Sequence, residues 1–93
     1  MSTHIATVTP KTHKELTNTY HLHSTANPKR FTLHDHTGRV IARVVRVRPT
    51  SSSEAWYTLD ERSGEIINTM FASYSVTSAA VTAMASRERA ARR

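Results

Sequence analysis

Hydrophobic and polar positions follow one pattern twice in the middle of the chain, 26 residues apart: residues 31–41 read FTLHDHTGRVI and residues 57–67 read YTLDERSGEII. In each copy a β-prone arm leads into a polar turn, a glycine closes the turn, and a β-branched arm leaves it. Only glycine adopts positive φ at little cost, so Gly38 and Gly64 are expected to hold that conformation in two hairpin loops. Two successive hairpins predict a four-stranded antiparallel meander over residues 30–73.

The second strand of this meander, residues 39–48, carries four arginines whose spacing breaks the alternation of a regular strand. Arg39 and Arg43 stand at odd positions, whereas Arg46 and Arg48 stand at even positions. A β-bulge near residues 44–45 would return all four arginines to one face of the sheet. We expect Pro49 to end the strand, because proline cannot donate to the ladder.

A helix is predicted over residues 75–91, with Ser75 as its N-cap and no glycine or proline from residue 76 onward. An apolar stripe at helical spacing runs through Val76, Ala80, Ala83 and Met84, and ends at Arg87. Because the stripe is mostly alanine, the helix can approach the sheet closely. We expect it to cover the sheet face that carries Tyr57, Leu59, Ile67 and Phe71.

The first 29 residues are ambiguous. Ile5 to Thr9 favours a short strand, Pro10 could begin a short helix, and residues 16–24 could equally form a strand. Asn27 and Pro28 indicate a turn before the first hairpin. The predicted fold class is therefore α+β. A single domain, 1–93, would contain about four meander strands, further strands from residues 1–29, and one C-terminal helix over residues 75–91.

Composition narrows the classes of function. A chain of 93 residues supports one modest core, to which a homodimer would add stability. No apolar stretch is long enough for a membrane helix, and the N-terminus does not have the pattern of a signal peptide. Without cysteine, disulfides and thiolate metal sites are excluded. We therefore expect a cytoplasmic protein.

The net charge of +6 is unevenly distributed. Residues 27–50 carry a net charge of +5, residues 51–86 carry −3, and residues 87–93 carry +3. This arrangement permits binding of nucleic acid or of an acidic protein on one surface. The candidate nucleic-acid residues are the arginines of the second strand and of the C-terminal end: Arg39, Arg43, Arg46, Arg48, Arg87, Arg89, Arg92 and Arg93.

A second candidate surface is centred on Trp56. Alternation places Trp56 opposite to Tyr57 and Leu59, on the sheet face that the helix would leave uncovered. An aromatic side chain beside arginines is typical of the centre of a protein interface. The candidate partner-binding residues are Trp56, Val40, Ile66, Arg43 and Arg46. Burial of Trp56 under the N-terminal segment is the alternative.

Metal binding and catalysis have less support. His21 and His23, and likewise His34 and His36, have the spacing that puts two imidazoles on one side of a strand, but the second pair falls in a predicted turn. We therefore interpret them as surface histidines. The chain contains no glycine-rich phosphate loop, no G-x-S-x-G turn and no H-E-x-x-H motif. A non-enzymatic protein without cofactor or metal is expected.

From Trp56 onward the chain reads WYTLD, then Ser63-Gly64, Met70-Phe71 and an alanine-rich helix containing SAAVTAM. This succession resembles small accessory proteins common in phages of mycobacteria and related actinobacteria. It resembles more distantly the three-stranded DNA-binding modules of phage integrase arms and AP2 domains, without matching the arginine and tryptophan pattern of the AP2 sheet. The phage resemblance implies a short protein of host takeover that acts on host DNA or a host protein in the host cytoplasm.

Two functions follow from these observations. The favoured one is a protein-interaction module that binds and modulates a host protein through the sheet face around Trp56. The alternative is a nucleic-acid-binding module that uses the basic strand and the basic end of the helix. The acidic second hairpin favours the first, since it weakens a phosphate-binding field without hindering protein contact.

Overall fold

The computed structural model describes residues 3–13, 16–48 and 53–91. Its elements are β1 (Thr3–Val8), β2 (Lys11–His13), β3 (Leu16–Thr17), β4 (Tyr20–Ser24), β5 (Arg30–His34), β6 (Val40–Val47), β7 (Ala55–Asp60), β8 (Ile66–Phe71) and α1 (Val76–Ala91). A six-stranded antiparallel sheet has the order β1-β4-β5-β6-β7-β8, and β2 pairs with β3 separately. The α+β prediction is confirmed, with β1 and β4 added at one edge of the predicted meander.

Both glycine-turned hairpins form where the repeat predicts them. Gly38 has a φ of 91° and Gly64 a φ of 74°. An aspartate organises each turn: Asp35 Oδ1 accepts from the backbone nitrogen of Thr37 at 2.9 Å, and Asp60 Oδ2 accepts from that of Ser63 at 2.9 Å. The Thr37 hydroxyl also donates to Asp35 and is the main cause that lowers the pKa of Asp35 to about 2, whereas the backbone hydrogen bond from Ser63 is the main cause that lowers the pKa of Asp60.

The N-terminal segment adopts the strand alternative. β1 pairs with β4, and β4 pairs with β5, so two strands extend the sheet beyond the first hairpin. Pro10 does not begin a helix; it is followed directly by strand β2. Burial drives this choice: Val8 and Leu22 are fully buried and enter the core from β1 and β4.

Helix α1 begins and ends as predicted. The Ser75 Oγ accepts from the backbone nitrogen of Ser78 at 3.1 Å, which is the N-cap geometry. The predicted stripe meets the sheet, since Ala80, Ala83 and Met84 are fully buried. No helix in the described ranges is long and apolar enough to cross a membrane.

The helix covers the opposite face to the one predicted. Trp56 is 6% exposed and belongs to the core cluster beneath α1, whereas Phe71 is 67% exposed. The indole nitrogen donates to the backbone oxygen of Tyr74 at 2.9 Å, and the ring meets Phe31 edge-on at 5.7 Å. Because Tyr74 lies in the turn that enters α1, this hydrogen bond ties the start of the helix to the tryptophan face. Of the residues expected under the helix, Ile67 alone packs against the core.

The predicted bulge near residues 44–45 is wrong. Pairing between β6 and β7 is regular from Ala42 to Val47, and the irregularity lies between β5 and β6, where Leu33 pairs with Ala42 but His34 pairs with Val40. Ile41 is the extra residue, and it is 9% exposed. Burying Ile41 beside Ala42 therefore determines the position of the bulge, and the arginines do not share one face.

A buried carboxylate fastens the far end of the helix. Glu88 is 5% exposed, and its Oε2 accepts from Tyr20 Oη and from Asn18 Nδ2, each at 2.8 Å. Burial is the main cause, and the hydrogen bond with Glu88 the second, that raises the pKa of Tyr20 to about 12. The contact joins residues 68 positions apart and connects the last turns of α1 to β4.

Candidate functional site

The sheet face opposite α1, called here the open face, is the candidate site. Directly opposed residues of antiparallel strands share a face, so the register identifies its members. Tyr57 pairs with Val45 and with Thr69, and Leu59 pairs with Arg43 and with Ile66. The helix of the described chain packs on the other face, and the side chains of Val45, Tyr57 and Leu59 are half-buried.

The part of the open face formed by β6, β7 and β8 is mainly apolar. Val47 and Phe71 both stand opposite Ala55, and they continue the surface of Val45, Tyr57 and Leu59. At the β8 edge Phe71 is 67% exposed and Ile66 is 55% exposed. An apolar surface at an unpaired strand edge is a feature that folded proteins usually cover or use.

Ion pairs within the chain neutralise several of the basic residues near this surface. The Arg43 guanidinium binds the Glu61 carboxylate through two contacts, of 2.6 and 3.1 Å, which raises the pKa of Arg43 above its ordinary value. Arg46 lies 3.0 Å from Glu54, and Lys29 lies 3.7 Å from the same carboxylate. The acidic second hairpin therefore supplies partners to the basic strand.

The structure divides the predicted partner-binding residues between the two faces. Val40 stands opposite His34, and Ile66 and Arg43 stand opposite Leu59, all on the open face. The prediction that Trp56 lies on the uncovered face is wrong, because the indole is in the core. Arg46 pairs with Trp56 in register and lies over its ring at 5.6 Å, so it belongs to the helix face.

The predicted nucleic-acid residues are dispersed as well. Arg43 and Arg46 are on opposite faces, Arg48 follows the end of β6, and Arg89 is exposed on α1. Arg39 and Arg87 both line a cavity of about 500 Å³, together with Asp60 and Glu61. Arg92 and Arg93 lie outside the described residues.

A basic groove is nevertheless lined by both Arg43 and Arg46, although these two residues belong to opposite faces of the sheet. It has a volume of about 400 Å³ and is lined by Asn27, Lys29, Arg30, Arg43, Val45, Arg46, Val47 and Leu59. Of its four cationic side chains, three take part in the ion pairs with Glu54 and Glu61 described above. The groove thus combines positive charge with internal counter-ions.

Four histidines lie together on the open face across β1, β4 and β5, and this histidine row consists of His4, His21, His23 and His34. His4 Nε2 is 3.1 Å from His21 Nδ1, and the rings of His23 and His34 are 4.1 Å apart at their centroids. The ring centroids of His4 and His23 are 5.5 Å apart. The fourth histidine considered in the sequence analysis, His36, is exposed in the turn.

Sequence reasoning found only half of this row. The H-x-H spacing places His21 and His23 on one face, but their contact with His4 and His34 depends on the register of three strands. Among the described residues no group of three or more histidine, aspartate or glutamate side chains is arranged to hold a metal ion.

Comparisons of the chain with protein-family models, with curated proteins and with solved structures give no match.

Proposed function

We propose that this chain is a non-enzymatic binding protein that engages a protein partner through the apolar part of its open face. The observation that carries the proposal is the half of the sheet formed by β6, β7 and β8, where Val45, Tyr57 and Leu59 face outward and Phe71 is 67% exposed. Surface of this composition gains most from contact with another apolar surface.

The charges support a protein partner over nucleic acid, and an acidic one in particular. The ion pairs of Arg43 with Glu61 and of Arg46 with Glu54 remove two guanidiniums from competition for phosphate. The net charge of +6 still attracts an acidic protein at long range. The phage resemblance makes a host protein, in the host cytoplasm, the expected target.

Matched aromatic truncations test the proposal. Phe71→Ala, alone or with Tyr57→Ala, removes open-face surface, whereas Tyr74→Ala removes a similarly exposed ring from the turn before α1. We expect a protein from actinobacterial host lysate to be retained by the wild type and by Tyr74→Ala, and to be lost with Phe71→Ala. Circular dichroism verifies that all variants are folded. Equal retention by the wild type and both open-face variants would contradict the proposal.

Nucleic-acid binding is the second candidate, favoured by the basic groove around Arg30 and Arg43. It predicts binding to duplex DNA whose affinity falls steeply with salt, because phosphate contacts release counter-ions. Fluorescence anisotropy with a labelled duplex between 50 and 200 mM salt, roughly the range over which such binding changes most, distinguishes the two functions. Steep salt dependence that Arg30→Ala reduces and Phe71→Ala leaves intact would favour DNA over a protein partner.

A further inference from the structure

The histidine row has a geometry that opposes the uptake of several protons. The contact of 3.1 Å between His4 Nε2 and His21 Nδ1 is a hydrogen bond only if one of the two nitrogens is protonated and the other is bare. When both imidazoles carry a positive charge, each of these nitrogens holds a hydrogen, so the contact is no longer a hydrogen bond and two like charges face each other.

His23 lies between the other members of the row and resists protonation for a second reason. Its Nδ1 is buried and has no hydrogen-bond partner among the described residues, so a proton added there would find no acceptor among them. Its ring is 4.1 Å from that of His34 and 5.5 Å from that of His4. Desolvation, and then the charges of His34, His4 and His21, lower the pKa of His23.

In the described part of the chain, the surroundings of the row supply no counter-ion. Both ring nitrogens of His34 contact uncharged hydrogen-bonding groups: Nδ1 is 3.0 Å from Gly38 O, and Nε2 is 2.9 Å from Thr32 Oγ1. Arg30 projects from β5 on the same face, and the guanidinium of Arg43 on β6 is bound to Glu61. Within the described residues, no carboxylate forms a hydrogen bond or ion pair with the four imidazoles.

Strand β1 is the element that such charging would affect most. It is an edge strand, joined to the sheet by β4 alone, with further contacts to α1. His4 on β1 stands directly opposite His23, and Thr7 stands opposite His21. Charge repulsion across this single ladder acts on an edge strand that has few other attachments.

We propose that the histidine row is a pH-sensitive element that holds β1 on β4 at neutral pH and loosens this edge strand in mild acid, while the hairpins β5–β6 and β7–β8 remain folded. The folded state favours the neutral imidazole of His23, so this stabilisation is present above the ordinary histidine pKa of 6.5 and is lost as the pH falls below it. The inference does not rest on the proposed function.

Amide hydrogen exchange tests the inference, with each rate corrected for the intrinsic effect of pH. In the wild type, protection of the β1 amides is expected to fall between pH 7.5 and pH 5.5, because repulsion between charged imidazoles across the β1–β4 ladder promotes local opening of this strand. Protection in β7 and β8 should change much less. The variant His4→Gln/His23→Gln should lose most of this pH dependence.

The matched control is His36→Gln, which removes the same ionisable group from the exposed turn and should behave as the wild type. The inference would be overturned if acid reduced amide protection equally in β1 and β7. It would also be overturned if acid reduced the protection of β1 as much in His4→Gln/His23→Gln as in the wild type. Should the double variant not fold, the wild type alone decides. Imidazole NMR signals of the row that titrate independently of one another would contradict it, whereas coupled titration would support it.

Discussion

Replacing Tyr20 by phenylalanine tests the buried contact that fastens α1 to β4. The change removes one hydroxyl and leaves the ring in the core, so it isolates the hydrogen bond of 2.8 Å to Glu88 Oε2. A hydrogen bond to a charged group contributes about 1.5–3 kcal/mol, and the Asn18 amide still donates to the same oxygen in the variant. We therefore expect the lower end of that range.

A loss of about 1.5 kcal/mol in the free energy of unfolding corresponds to a fall in Tm of roughly 6–12 °C for a domain of this size. Thermal and urea melts of Tyr20→Phe measure it. Tyr74→Phe is the matched control, because Tyr74 is 56% exposed and its loss of a hydroxyl should leave Tm nearly unchanged. A Tyr20→Phe variant that melts with the control would refute the role given to this hydrogen bond.

A pH series adds an independent readout. The folded-state pKa of Tyr20 is raised to about 12, so its stabilising contribution is complete below the ordinary value of 10.0 and is lost as the pH rises towards 12. The difference in unfolding free energy between the wild type and Tyr20→Phe should therefore narrow above pH 10. In the background of Glu88→Gln, where the acceptor is neutral, Tyr20→Phe should cost less than in the wild type.

The remaining predictions concern the turns, the core, the metal question and the basic strand. Gly38→Val and Gly64→Val should each cost on the order of 1–2 kcal/mol in thermal melts through positive-φ strain alone, since a Cβ at either position meets open space. Trp56→Ala should lower the free energy of unfolding by about 3–5 kcal/mol, because the side chain is buried in the core. For the same reason the fluorescence of the wild-type indole should be blue-shifted and resistant to quenching by solutes. Addition of zinc or EDTA should leave Tm unchanged. A rise in Tm of several degrees with equimolar zinc would instead show that the native state binds the metal. Arg43→Glu should slow association with a captured partner and alter its salt dependence.

The hairpins could be read from the sequence because their determinants are local. The 26-residue repeat, the two glycines and the helix cap at Ser75 each act within a few residues, and the structure has all of them in the expected places. The same locality explains why β5 to β8 and α1 were predicted with nearly correct bounds.

The assignment of the two sheet faces required information that alternation does not contain. Alternation places Trp56 opposite to Tyr57, but it does not say which of them faces the helix; in the structure Trp56 packs in the core with α1, and its indole donates to Tyr74 O in the turn that enters the helix. Similarly, burial of Ile41 moves the bulge away from the position that would have aligned the arginines. The histidine row depends on the pairing of β1 with β4, and the sequence left a helical alternative open for the segment that forms β4. Long-range register therefore decides both candidate surfaces.

The strand order has a consequence for folding kinetics. From β4 to β8 every pairing joins strands that are adjacent along the chain, so each can close over a short loop at small entropic cost. The contact between Tyr20 and Glu88 instead closes 68 positions and requires the meander to be present already. We expect it to be absent from the folding transition state. Tyr20→Phe should then accelerate unfolding and leave the refolding rate nearly unchanged, which makes the docking of α1 over β4 a determinant of how long the native state persists.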